Sequence, residues 1–228
     1  MADKAYKLSP SDFGFLWDEC PRCFYLKVAR DAPRPPVPFP RIFNQIDEAM
    51  KASLQKIPSA DWATGTPAGR FHQADGWVQS VPVTLPGRKS SCFIRGIFDT
   101  VLALDAGGYA VVDFKTSTIS DRNAVKYGRQ LNAYAFAMER PAPGDYVSAT
   151  PVNALGLLVY EPKSFAPAPG NRAGLAGELA WLPVTKNDDT FVKFLDGVLA
   201  VLDLDEPPPP GGACPYCRYR ETSRVKGW

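Results

Sequence analysis

The chain has 228 residues, 45% of them hydrophobic and 22% charged, with a formal net charge of +2. That is chain enough for one sizeable core, or a core with a small appendage, and the near-neutral balance excludes global attraction to nucleic acid, leaving only local basic surface. No apolar run approaches the roughly 20 residues of a membrane span, and the polar start MADKAYKLSPSD has no signal-peptide apolar region, so the expected setting is the cytoplasm, where cysteines are more often free, metal-bound or catalytic than paired.

In chain order, Ser9-Pro10 reads as a helix start, with Ser as N-cap and Pro in the first turn. That helix runs through Phe13, Leu16 and Trp17 and is expected to stop at Pro21. Residues 31–40, DAPRPPVPFP, form a stiff extended connector. The second helix is RIFNQIDEAMKASLQ. Residues 61–90 read as loops with short strands and hold His72, which has no partner motif. Alternating apolar residues around Asp105-Ala106-Gly107-Gly108 then predict a β-hairpin, because Gly-Gly supplies the positive φ of a tight turn. Ser120 caps an amphipathic helix over 120–140. ALGLLVYEP (154–162) is a buried strand, WLPV (181–184) an edge strand, and 189–204 a further helix. PPPPGG leads to CPYC and a basic tail. These elements predict an α/β protein, a mixed sheet flanked by helices, in three segments: an N-terminal helix, cysteine segment and connector (1–40), a core (41–205), and a Pro-rich linker with the second cysteine segment (206–228).

The hairpin carries three charges inside its apolar runs. Counting outward from the turn places Asp99 opposite Asp113, or one residue from opposite, where Cβ atoms stand about 4.5–5.5 Å apart. Asp113 and Lys115 are two residues apart and share a face. Two carboxylates that close favour a cation between them, and a hard divalent ion such as Mg²⁺ suits oxygen ligands. A neighbouring lysine can hold a water or neutralise charge on a phosphate. Two acids and a lysine are thus the minimum kit for metal-assisted phosphodiester cleavage. The same spacing also suits a solvated hairpin end with an Asp–Lys pair.

The order GIFD, VVDFKTS, then QLNAY on a helix resembles the PD-(D/E)xK nuclease superfamily, in particular its RecB-type branch with the CRISPR-associated iron–sulfur exonucleases. The likeness covers roughly residues 95–138. It implies a restriction-endonuclease-like fold and a metal-dependent DNA nuclease, an exonuclease on single-stranded DNA or DNA ends. In that pattern Asp99 and the Asp113-x-Lys115 pair bind Mg²⁺ or Mn²⁺ and position water, and Gln130 and Tyr134 complete the site. The implied partner is DNA, with a protein partner in a repair, phage or CRISPR adaptation complex. The competing reading is an inactive nucleic-acid-binding or adaptor protein of the same fold, which would not need the acids and the lysine intact.

The family also uses an upstream helix residue, often His or Glu. Here Phe43, Asp47, Met50 and Leu54 recur at steps of four, three and four, so Asp47 falls within the apolar stripe, while Glu48 joins Asn44 and Lys51 on the polar face. An inward carboxylate needs a partner, and Asp47 is the expected third metal ligand; an ion pair with an arginine is the alternative. Gln130 sits between Tyr127 and Tyr134 on the next helix, facing a phosphate, a base, the lysine or merely backbone. Lys126 and Arg129 flank it as candidate phosphate contacts.

Cys20-Pro-Arg-Cys23 and Cys214-Pro-Tyr-Cys217 give four thiolates in two chelating pairs, a donor set for Zn²⁺ or an iron–sulfur cluster that would join the two ends of the chain. The resemblance implies a [4Fe–4S] cluster, with Zn²⁺ as the alternative. The pattern departs from the family's: a third C-terminal cysteine is missing, Ser223 stands near its place, and Cys23 is extra. Cys92 reads as a core thiol.

Overall fold

The structure, a computed structural model, describes residues 4–226. Strand β1 (Ala5–Leu8) leads into a single turn, α1 (Pro10–Asp12), which continues as a π-helical turn over Phe13–Trp17. The expected first helix thus runs through Phe13, Leu16 and Trp17, but its second half is π-wound and it ends before Pro21. Pro21 ends nothing that was still running; it opens α2 (Pro21–Arg30), because its missing N–H costs nothing in a first turn. After the extended Pro-rich connector come α3 (Arg41–Leu54), β2 (Gly69–Ala74), β3 (Trp77–Gln79), β4 (Val83–Thr84), β5 (Ser91–Ile97), β6 (Thr100–Leu104) and β7 (Tyr109–Thr116). Helix α4 (Asp121–Glu139) follows, capped as expected by Ser120, whose side chain accepts from the Arg122 N–H. Strands β8 (Val152–Ala168) and β9 (Arg172–Val184), α5 (Asp188–Leu202) and α6 (Pro215–Lys226) complete the chain.

The strands form two sheets. In the larger the order is β2-β6-β7-β8-β9, antiparallel except for the parallel β7–β8 pair; in the smaller, β1 and β3 flank β5, with β4 also on β5. Strands β8 and β9 are longer than their sequence signals at 154–162 and 181–184. β8 and β9 run on past the body as a two-stranded arm, exposed on both faces, that turns where Gly170 and Asn171 take φ of 73° and 56°.

Alternation along β7 splits its side chains between two cores. Val111 packs with α4, α5 and the N-terminal helices, in a cluster that includes Phe13, Phe24, Leu131 and Phe191. Val112 and Phe114 face the opposite way, against Leu54 and Trp62 beneath α3. The N-terminal turns are therefore part of the main core: Phe13 meets Phe194 of α5 edge-on at 5.0 Å. Cys92 lies fully buried in β5, a core thiol as expected. His72 lies in β2.

Candidate active site

The hairpin register is the one that counting predicts. Thr100 pairs with Val112 and Val101 with Val111, so Asp99, one residue before β6, stands at the level of Asp113. The Asp99 Oδ2 accepts the Phe114 N–H at 3.0 Å, which locks that carboxylate across the strand ends. Asp113 is buried, and its two oxygens have separate partners. Oδ1 accepts from the Gln130 amide at 2.9 Å; Oδ2 contacts the Lys115 ammonium. Gln130 thus faces neither solvent nor backbone: it holds the buried acid. Tyr134 donates to the Ile97 carbonyl at 2.6 Å and so fixes the end of β5 two residues before Asp99.

Burial pushes Asp113 up to about 7, with the Lys115 charge working against that shift and Asp99 adding to it. Burial would depress Lys115, but Asp113 and then Asp99 hold it above the ordinary lysine value. Its ammonium also lies 5.0 Å from the centre of the Tyr127 ring. This is an environment in which charge is costly unless opposed.

The sequence pattern missed a second lysine. Lys51 does not lie on a solvated polar face with Glu48. Its side chain is only 11% exposed, and its ammonium sits 2.6 Å from Asp75, 2.9 Å from Asp47 and 3.4 Å from Asp99. Burial opposes its charge, but Asp99 and the other two acids keep its pKa above the usual value. Asp47 is therefore the inward acid of α3, as its stripe position predicts, and its partner is a lysine one turn along rather than an arginine. Burial raises its pKa, and Lys51 pulls it back.

Asp47, Asp99 and Lys115 line one cleft of about 410 Å³ at the C-terminal end of β7, between α3 and α4. Among the described residues these acids do not converge on one point as the cysteines do; Asp47 reaches Asp99 through Lys51. Around the cleft four acids, Asp47, Asp75, Asp99 and Asp113, face two lysines. An oxygen-only donor set with that acid excess fits a hard divalent cation. Of the flanking cations, Lys126 lies over the Phe15 ring at 4.5 Å by the cleft rim. Arg129 is turned away, paired with Asp18 and stacked over Phe194 at 4.6 Å, so it is not a free phosphate contact.

Removing Lys51 should reveal the acid cluster. We expect Lys51→Met to lower stability by roughly 2 kcal/mol, less than a fully buried pair because Asp75 is well exposed. Mg²⁺ should then raise the melting temperature of the variant more than that of the parent, since a cation can replace the missing charge. Equal shifts in both proteins would mean that the ion does not take the place of the Lys51 ammonium.

Apart from the cleft, the four cysteines meet as expected. All are buried, and their sulfurs lie within 4.8 Å of one another. Each pair straddles a helix start: Cys20 precedes α2 and Cys23 lies in its first turn, and Cys214 and Cys217 repeat this at α6. The Gly211 N–H and the Arg34 guanidinium donate to Cys20 and Cys214 sulfurs at 3.4 and 3.5 Å.

Residues 45–222 match the family model of the PD-(D/E)XK nuclease superfamily. No curated protein matches the chain at a significant level. Among solved structures, that of SSO0001 aligns over 88% of this chain and 78% of its own, at 13% identity and a TM-score of 0.48, a likeness too loose to bear on function. No helix among the described residues is long and apolar enough to cross a membrane. The helix-flanked mixed sheet is consistent with the restriction-endonuclease-like fold, the match extends over most of the chain, and the chain belongs to the PD-(D/E)XK nuclease superfamily.

Proposed function

We propose that the protein is a metal-dependent DNA nuclease that acts on single-stranded DNA or DNA ends, of the RecB-type branch. The observation that carries this reading is the Asp99–Asp113–Lys115 group at the open end of β7, in a cleft with Asp47. Asp47, Asp99 and Asp113 would hold Mg²⁺ or Mn²⁺, which when bound would polarise the scissile phosphate and acidify a water. Lys115 orients the attacking water and opposes the charge that develops on the phosphate. Gln130 keeps the Asp113 carboxylate aimed, and Tyr134 holds the strand end that carries Asp99. The five unpaired cysteines suit a reducing compartment such as the cytoplasm.

The walls of the cleft support an unpaired strand. Phe15 and Tyr127 meet edge-on at 5.4 Å on one side; Phe39 and Phe43 lie 5.3 Å apart on the other. Phe39 is 68% exposed, so its ring is open to a base, and base–aromatic stacking contributes about 1–3 kcal/mol per base. Lys126 beside Phe15 supplies a charge for the backbone. Digestion of end-labelled single- and double-stranded DNA with Mg²⁺ or Mn²⁺ tests the reading. We expect shortening of single strands from an end, and for Phe39→Ala a KM for single strands raised at least about fivefold with kcat little changed. Absence of cleavage under every metal condition, in protein that is folded, would favour the inactive binding role.

A further inference from the structure

The resemblance and the molecule part company at the four cysteines. Sulfur–sulfur distances are 3.6 Å for Cys20–Cys217, 3.7 Å for Cys23–Cys214 and 3.6 Å for Cys23–Cys217, and every other pair in the group is within 4.8 Å. Four thiolates bound to one ion at about 2.3 Å occupy the corners of a tetrahedron with edges of ~3.8 Å. In a [4Fe–4S] cluster each thiolate binds a different iron, so the sulfurs stand outside the corners of the inorganic cube, about 6 Å apart. A [2Fe–2S] cluster keeps two thiolates close on each iron but separates the pairs by a similar ~6 Å. The thiolates here leave room for neither.

We infer that Cys20, Cys23, Cys214 and Cys217 bind a single tetrahedral zinc ion rather than an iron–sulfur cluster. The inference is independent of the nuclease reading. Cys23, the cysteine extra to the family pattern, takes the fourth corner that a third C-terminal cysteine would otherwise fill, while Ser223 lies further along α6. The surroundings suit a closed structural site. All four ligands are buried, and an ion with four thiolates carries two net negative charges, which the starts of α2 and α6 both face. The Gly211 N–H and the Arg34 guanidinium donate to the sulfurs, and Arg34 is itself held by Glu19 at 2.6 Å and stacked on Tyr216 at 4.5 Å. Zinc has no geometric preference of its own and accepts the tetrahedron that the two cysteine pairs impose.

The test uses the full chain produced with iron supplementation and co-expressed cluster-assembly proteins, then purified without oxygen, so that zinc does not win by iron shortage. We expect colourless protein with about one zinc per chain and no acid-labile sulfide. Exchange with Co²⁺ should give the intense visible bands of a tetrahedral cobalt thiolate, and Cys23→Ser and Cys217→Ser should each lose most of the zinc while Cys92→Ser keeps it. Should a serine variant fail to fold, titration of the parent with a mercurial reagent gives the same information, because release of the zinc should track modification of four thiols. Brown protein with iron and acid-labile sulfide in equal amounts would overturn the inference, as would red protein with one iron per chain, or zinc retained by Cys23→Ser.

Discussion

Lys115→Ala should lose at least ~10²–10³-fold in kcat while the protein stays folded, because the ammonium acts on the water and on charge that appears only in the transition state. The geometry makes the fold the lesser casualty. Lys115 contacts the one oxygen of Asp113 that has no hydrogen bond. A buried carboxylate stripped of its cation can take up a proton, and Asp113 is already pushed up to about 7 by burial. The substitution therefore leaves a neutral acid bonded to Gln130 rather than an uncompensated buried charge. Asp113→Asn should be as inactive, since it removes a metal ligand, and should be less stable than the parent, because the buried Lys115 ammonium loses the acid that chiefly opposes its desolvation. Gln130→Ala differs: it frees one Asp113 oxygen and disturbs aim rather than chemistry, so its loss should be smaller, on the order of tenfold. Cleavage at the parental rate by folded Lys115→Ala would remove this group from the mechanism.

Why could so much of that site be anticipated? A tight Gly-Gly turn fixes the register of a hairpin, and register fixes which residues face each other. Counting sets Asp99 across from Asp113, and helical steps put Asp47 on the inner side of its helix; that these acids form a metal site is what the family resemblance implies. Lys51 and Asp75 could not be anticipated in this way, for a physical reason. Lysine on a helix is nearly always solvated, and periodicity assigned Lys51 to the outer face beside Glu48. Its four-carbon stem instead bends inward along α3 so that the ammonium reaches the acids. One sequence signal was available: Asp47 and Lys51 are four apart, a spacing that pairs charges on a helix. Asp75 joins them only because β2 returns beside β6, with its N–H bonded to the Asp99 carbonyl, and that is a long-range fact. The β8–β9 arm was hidden for the opposite reason. A strand pair exposed on both faces has no apolar alternation to betray it, and Pro167 and Gly170 are turn-forming residues. Helix α6 likewise hides in a basic tail, since it buries little beyond Cys217.

That last feature sets the outcome of removing the cysteine-bound metal, whichever ion it is. The amides of α6 should lose their exchange protection almost entirely, while those of α2 and of the central strands keep theirs. A clasp across nearly the whole chain suggests that both termini would come loose, but the two sides are held very differently. On the N-terminal side, Phe24 and Tyr25 are buried; Phe24 packs against Trp17 at 5.2 Å, and the Tyr25 hydroxyl donates to the Leu204 carbonyl at 2.9 Å. Burial of two such aromatics is worth several kcal/mol without any metal. On the C-terminal side, α6 contributes one buried residue, and that residue is a metal ligand. Its further ties include the Arg220 guanidinium on the Ala32 and Pro33 carbonyls, at 3.4 and 3.1 Å, the stack of Arg34 on Tyr216, and Tyr216 at the edge of the main core. A 12-residue helix with so little burial does not persist in water. Chelation of the metal, or Cys217→Ser, should therefore release residues 213–226 as a unit. Hydrogen exchange should detect this release and limited proteolysis should make its first cuts at Arg218, Arg220 and Arg224, and cleavage of DNA should continue at a reduced rate, because Asp113 and Lys115 on β7 and Asp99 just before β6 do not touch the clasp. If α2 loses protection together with α6, the N-terminal helices depend on the metal after all, and the Phe13–Phe24 core does not hold them alone.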